Sequence, residues 1–376
     1  MDIGGNPTVI NVALGDRSYP IFIGTDLSRV AAEYISESVK PTSITLLTHP
    51  HLAANYSDPI GTELERLGYE VHLVLVPAGE RTKNLRTIER IHRQLAKLRV
   101  DRKGLIISVG GGVLGDIAGF VAASYMRGIR FLQCPTTLLA QVDASIGGKT
   151  GVDLPEGKNL VGAFHQPVAV VIDTNTLKTL PARELRSGIS EVIKYGIISD
   201  KYLFSWLLSD MNSLLRRDLA ALTEIMTSSC KIKAGVVSQD EHEQGLRAIL
   251  NYGHTIGHAI ESVTDYRRYK HGEAISIGMV SAALIGNAIG LTPESVTEDI
   301  IKVLQSAKLP TAVPSDIALA DILSATASDK KRIGSRINWV LASSIGSVVL
   351  RNDIDQAVVR DALYRQTELA EPFPIR

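Results

Sequence analysis

Short apolar runs recur along the first half of the chain, at 43–47, 71–76, 105–109, 129–134 and 168–172, each bounded by turn or polar residues. Runs this short and continuous suit strands buried on both faces, and amphipathic stretches such as 87–98 lie between them. Strands alternating with helices predict a largely parallel sheet covered on both faces, with ligands beyond the carboxyl ends of its strands. Ahead of these, 8–14 and 19–23 flank a Gly15-Asp16 turn and predict a hairpin. The period changes near Leu180-Pro181. From Ala182 onward, 184–198, 202–215, 219–237, 249–262 and 273–289 carry helical spacing, and one late run, 337–341, predicts a small local strand. The expectation is a Rossmann-like α/β domain over 1–181 followed by an all-α domain over 182–376.

Composition narrows the classes. At 376 residues, with 45% hydrophobic and 21% charged, the chain has the mix of a globular protein with a large core. Its formal net charge is zero, so nothing draws it as a whole to nucleic acid or to an anionic membrane, and phosphate binding has to come from local basic groups. Cys134 and Cys230 stand far apart in no CxxC pattern, which suits a reducing compartment, the cytoplasm. The N-terminus has no basic head and apolar run, so no signal peptide is expected. The uncharged stretch 274–293 is rich in small residues and predicts a close-packed buried helix rather than a membrane span.

Gly110-Gly111-Gly112-Val113-Leu114-Gly115 follows a predicted strand and opens a predicted helix. Glycines there let backbone approach a pyrophosphate, whose charge the helix N-terminus favours. The acidic residue expected about 20 positions on in the dinucleotide fingerprint is missing, so a tight strand–helix turn is the alternative. Gly147-Gly148-Lys149-Thr150 fails as an ATP loop, because Asp143 stands where the motif needs its first glycine. Lys149 and Lys158, with Asn159 beside them, remain possible point charges for phosphate.

Three of the nine histidines fall within eighteen residues: His254, His258 and His271. The first two are four apart and share one helix face, a two-ligand metal pattern. Thr255 stands where a metalloprotease would need Glu. Glu191, in small apolar surroundings three residues before Lys194, is either half of a helix-surface pair or a metal ligand beside a phosphate-binding lysine. One carboxylate with two imidazoles leaves a coordination position open for substrate. Lys233, Arg247 and Asn251 add donors that suit an anionic polyol.

Taken together, these strings resemble the 3-dehydroquinate synthases, members of the sugar phosphate cyclases. The resemblance runs from Pro77-Ala78-Gly79-Glu80-Arg81-Thr82-Lys83 to Asp329-Lys330-Lys331. It is carried most strongly by the Gly110 loop, by Pro135-Thr136-Thr137 through Gly147-Gly148-Lys149-Thr150-Gly151, by Gly157-Lys158-Asn159, and by Asn251-Tyr252-Gly253-His254-Thr255-Ile256-Gly257-His258-Ala259-Ile260-Glu261 with Asp240-Glu241 and Gly245-Leu246-Arg247. It implies a carbon–oxygen lyase that turns 3-deoxy-D-arabino-heptulosonate 7-phosphate into 3-dehydroquinate and phosphate, on the shikimate route to chorismate and the aromatic amino acids. Hydride transfer to NAD, phosphate elimination, return of the hydride and an intramolecular aldol closure are the implied steps.

The resemblance implies a divalent metal, zinc or cobalt, on Glu191, His254 and His271, which moves His258 from the metal to the substrate phosphate. Lys194, Asn159 and His258 would hold that phosphate, with Arg127 supplied across a homodimer. Asp143, Lys233, Arg247 and Asn251 would hold the hydroxyls and the carboxylate. Gly79, Glu80, Lys83, Gly112, Val113, Leu114, Gly115, Asp116, Thr136, Thr137, Lys149, Lys158, Thr176, Leu177, Lys178 and Thr179 would line the NAD site. A further phosphate contact is expected at Lys331, with Arg336 as its rival. Family members often carry Asp or Asn after the second strand, near the adenosine ribose, where this chain has Thr48-His49-Pro50-His51. Rival activities are another sugar-phosphate cyclisation, giving a deoxy-inosose or valiolone ring, and a metal-dependent polyol dehydrogenation. No nucleic-acid or membrane partner is expected.

Overall fold

The computed structural model describes residues 7–330 and 337–369. The chain divides into two compact units. The first takes residues 1–180 and 222–242, the second 181–221 and 243–376.

In the first unit the apolar runs become strands, the central ones buried on both faces. They are β1 (Thr8–Val12), β2 (Tyr19–Gly24), β3 (Ile44–Thr48), β4 (Val71–Leu75), β5 (Leu105–Gly110), β6 (Arg130–Pro135), β7 (Lys149–Leu154), β8 (Gly157–Phe164) and β9 (Val170–Asp173). Helices α1 (Ser28–Tyr34), α2 (Asp58–Arg66), α3 (Leu85–Lys97) and α4 (Gly112–Ser124) lie between them. Seven strands form one sheet in the order β1-β2-β9-β6-β5-β3-β4. The β1–β2 pair is the antiparallel hairpin expected, and every other neighbour in the sheet is parallel. All residues of β3 and β5 are buried, because apolar layers cover both faces. The chain steps outward from β3 to β4, then crosses back to β5 on the other side of β3, and β6 and β9 continue in that direction. This reversal between β3 and β5 is where an open α/β sheet leaves a crevice at the strands' carboxyl ends. Pairing of β7 with β8 makes a separate hairpin from what the sequence presents as glycine-rich loop.

The second unit is helical: α5 (Ala182–Ile198), α6 (Lys201–Leu215), the start of α7 (Leu219–Gln239), α8 (His254–Val263), α9 (His271–Ala288), α10 (Glu294–Ser306), α11 (Leu319–Lys330) and α12 (Gln356–Thr367). The late apolar run is one arm of a two-stranded hairpin, β10 (Trp339–Ser344) with β11 (Ser347–Arg351). Most of α7 packs in the first unit, so Lys233 belongs there. The stretch 274–293 is largely α9, buried over almost its whole length as the small residues predict.

One expected helix is broken. Instead of a continuous 249–262, a short turn over Leu246–Asn251 ends at Tyr252, and α8 starts at His254. Gly253 takes φ +78° at the break, a left-handed conformation that L side chains rarely adopt. A Cβ on Gly278 of α9 would come within 1.9 Å of the Gly253 carbonyl oxygen, so this crossing is backbone against backbone.

Candidate functional site: a buried carboxylate–imidazole cluster and a nucleotide crevice

The break before α8 aims a histidine. Tyr252 keeps its carbonyl outside the helix, and His254 Nδ1 lies 3.1 Å from it. With its proton donated there, His254 turns Nε2 toward Glu191, 3.7 Å from Oε1. His271, the first residue of α9, does the same by another route. Its Nδ1 lies 3.4 Å from Glu261 Oε2 and its Nε2 lies 3.6 Å from Glu191 Oε1. One ligand atom from each of Glu191, His254 and His271 falls within 4.8 Å of the others. One carboxylate and two imidazoles, each with its far nitrogen anchored, fit a zinc-type ion. His258 is exposed and lies outside this set, its ring centroid 5.2 Å from that of His254. It joins Glu261 and His271 in a second donor group.

The electrostatics are those of buried charges. Glu191 and Lys194 are 0% and 1% exposed and form an ion pair inside α5. Burial and the Lys194 ammonium pull His254 down to about 3, so it is neutral and free to ligate. Burial also works against protonated His271, but the hydrogen bonds and charges of Glu191 and Glu261 outweigh it and lift the group to about 10.

Arg247 is buried in the same unit, and Asn251 Nδ2 donates to Glu243 Oε1 at 2.9 Å. Glu243 carries no signal in the sequence, because the chain between it and Asn251 has no regular period. Glu261 had one: with His254 and His258 it forms an i, i+4, i+7 face on α8.

In the first unit, Gly111 and Gly112 open α4 at the carboxyl end of β5, beside the crossover. Leu114 turns its side chain into the core, whereas Val113 is half-buried. Lys83 lies 2.5 Å from Asp116 and also bonds Asn159, while Lys158 pairs with Glu80 at 3.1 Å. Burial raises the Asp116 carboxyl against the pull of Lys83, to about 6, with Glu80 and Asp153 adding to the rise. The residues expected to bind nucleotide thus gather with Asn159, which the resemblance assigned to substrate phosphate.

Thr136 and Thr176 line a pocket of about 150 Å³ with Tyr56, Val109 and Asp173. Thr137 accepts from the Ala140 amide, Thr176 from Gln141, and Thr179 bonds Tyr56. Leu177 is buried, Lys178 and Lys149 are exposed, and Gly79 takes φ +104°. Lys233 donates to the Asp143 carbonyl at 2.5 Å and to its carboxylate at 2.7 Å.

Arg127 is exposed on a turn where it and Met126 take φ +66° and +48°. His49 is buried at the end of β3, its Nδ1 2.8 Å from the Val76 carbonyl, and burial lowers its pKa. Lys331 and Arg336 lie outside the described residues.

Such a sheet followed by a helical unit is also the architecture of solved sugar phosphate cyclases. Two solved cyclases share it: a 2-deoxy-scyllo-inosose synthase complexed with carbaglucose-6-phosphate, NAD+ and Co2+ (TM-score 0.86, 26% identity, covering 96% of this chain and 100% of that one), and the 2-epi-5-epi-valiolone synthase of Streptomyces hygroscopicus with NAD+ and Zn2+ (TM-score 0.86, 26% identity, covering 95% and 98%). The N-terminal model of 3-dehydroquinate synthase matches residues 73–187 and the C-terminal model residues 188–332. The 3-dehydroquinate synthase of Desulforamulus reducens is 44% identical over 348 residues, covering 93% of this chain and 97% of that protein. This chain belongs to the 3-dehydroquinate synthase family.

Proposed function

We propose that the chain converts 3-deoxy-D-arabino-heptulosonate 7-phosphate into 3-dehydroquinate and inorganic phosphate, with NAD and one divalent metal, zinc or cobalt. The observation that carries this reading is the buried set of Glu191, His254 and His271 with Lys194 beside it, in a chain 44% identical to 3-dehydroquinate synthases. When bound, NAD supplies a transient hydride acceptor and the metal a Lewis acid for a substrate oxygen. The chain's own residues bind and orient. Glu191, His254 and His271 hold the metal, with the imidazole protons kept on Nδ1. Lys194, Asn159 and His258 hold the substrate phosphate, with Arg127 of the partner subunit. Asp143, Lys233, Arg247 and Asn251 fix the hydroxyls and carboxylate of one polyol, so that ring closure proceeds without a search.

Gly79, Glu80, Lys83, the residues from Gly112 to Asp116, Thr136, Thr137, Lys149, Lys158 and the residues from Thr176 to Thr179 would hold NAD. Two NAD-bound cyclases of the same architecture support the use of NAD. A homodimer follows from the role of Arg127. The free buried thiols of Cys134 and Cys230 suit the reducing cytoplasm. The test is phosphate release by the zinc-loaded protein with NAD: release from the heptulosonate phosphate, none from glucose 6-phosphate, and no net NADH. No release from the heptulosonate phosphate would refute the reading, and accumulating NADH would favour a dehydrogenase.

A further inference from the structure

Glu261 has no role in the site so far, yet it is a carboxylate 5% exposed to solvent. It stands seven residues after His254 on the same face of α8. Its Oε2 lies 3.4 Å from His271 Nδ1, while the other nitrogen of that ring faces Glu191. Among the described residues, His271 therefore sits between two buried carboxylates, one for each nitrogen. We infer that Glu261 is a positioning residue: by accepting the Nδ1 proton of His271, it fixes the ring so that Nε2 presents its lone pair to the metal. A carboxylate behind a metal-bound imidazole fixes the tautomer and raises the basicity of the ligand.

His254 gains the same anchor from a backbone carbonyl, which is neutral. Glu261 adds charge as well as direction, so it strengthens the more exposed of the two imidazole ligands.

A competing use of these atoms would be a second metal on His258, Glu261 and His271, which also lie close together. It would require His271 to lose both ring protons and bridge two ions. Its third member, His258, is exposed, whereas Glu191 on the opposite side is fully buried. The geometry favours one metal with Glu261 behind its ligand.

This inference rests on the metal reading above, and the two can fail separately. Metal-free full-length protein is titrated with Zn2+ and Co2+ against a chromophoric chelator, for the native chain and for Glu261→Gln, Glu261→Asp, Glu261→Ala, Glu191→Ala and His271→Ala. The native chain should bind one ion. Glu261→Gln keeps an acceptor without charge and should weaken zinc by about tenfold, and Glu261→Ala by up to about a hundredfold. Glu261→Asp, which restores the charge, should recover part of the loss. Stoichiometry should stay at one, and the visible Co2+ bands should shift in the Gln variant, a change that mere loss of packing would not produce.

Native affinity and an unchanged cobalt spectrum in Glu261→Gln would overturn the positioning role. So would two ions in the native chain and one in that variant, which would make Glu261 a ligand. Undiminished binding in Glu191→Ala and His271→Ala would instead overturn the metal site itself.

Discussion

Glu191 and Lys194 place a carboxylate and an ammonium three residues apart in the fully buried part of α5. Taking both from water costs several kcal/mol, which a helix core of leucine or valine would not. Their spacing also fits a surface pair, and the sequence left both readings open. Burial on every side, supplied by other helices of the unit, excludes the surface pair. Removing the ammonium leaves the carboxylate only the more distant His271 imidazolium, so Lys194→Met should destabilise the metal-free protein by up to about 3–5 kcal/mol. Zinc should restore part of that by giving Glu191 another cation; an unchanged melting midpoint would show that the pair is not buried in solution. The histidines divide in the same way. His271→Ala should lose zinc, whereas His258→Ala should keep zinc and lose phosphate release, because His258 lies outside the Glu191 set. Equal zinc loss in both would return His258 to the metal.

At the level of elements, the apolar runs of the first half became strands within a residue or two of their expected ends, because continuous burial leaves few other ways to pair the backbone. The hairpin of β7 and β8 carries no strand signal in the sequence, since its glycines, lysines and half-exposed positions resemble a loop. The helix expected over 249–262 broke for a local reason with a distant cause. Gly253 turns left-handed where its carbonyl packs on Gly278, and that contact exists only once α8 meets α9. Gly278→Ala should therefore push two backbones apart, costing about 1–3 kcal/mol in chemical denaturation and weakening zinc through His254. Gly235→Ala in α7 is the control. Its Cβ meets nothing within 4 Å, so relief of the glycine penalty should stabilise the chain by up to about 1 kcal/mol. Similar losses in both would mean the Gly253–Gly278 crossing is not the cause.

Across the whole molecule, metal and nucleotide are assigned to different units, and each should stabilise its own. At a hundred times its dissociation constant, either ligand adds about 2.7 kcal/mol to the state that binds it. Hydrogen exchange should therefore slow in α5, α8 and α9 with zinc, and around β5 and the start of α4 with NAD. Zinc protection confined to α4 would place the metal elsewhere. The sequence by itself determined the alternation of strand and helix, the glycine loop at the end of β5, and the supply of imidazoles and carboxylates, because these follow from local period and residue type. Tertiary structure alone decided the grouping. Lys233 joined Asp143 in the first unit, Asn159 joined Lys83, and His271 turned one nitrogen to Glu191 and the other to Glu261. Spacing along a chain fixes which side chains share a face, whereas distances between faces are set by packing of elements far apart in sequence.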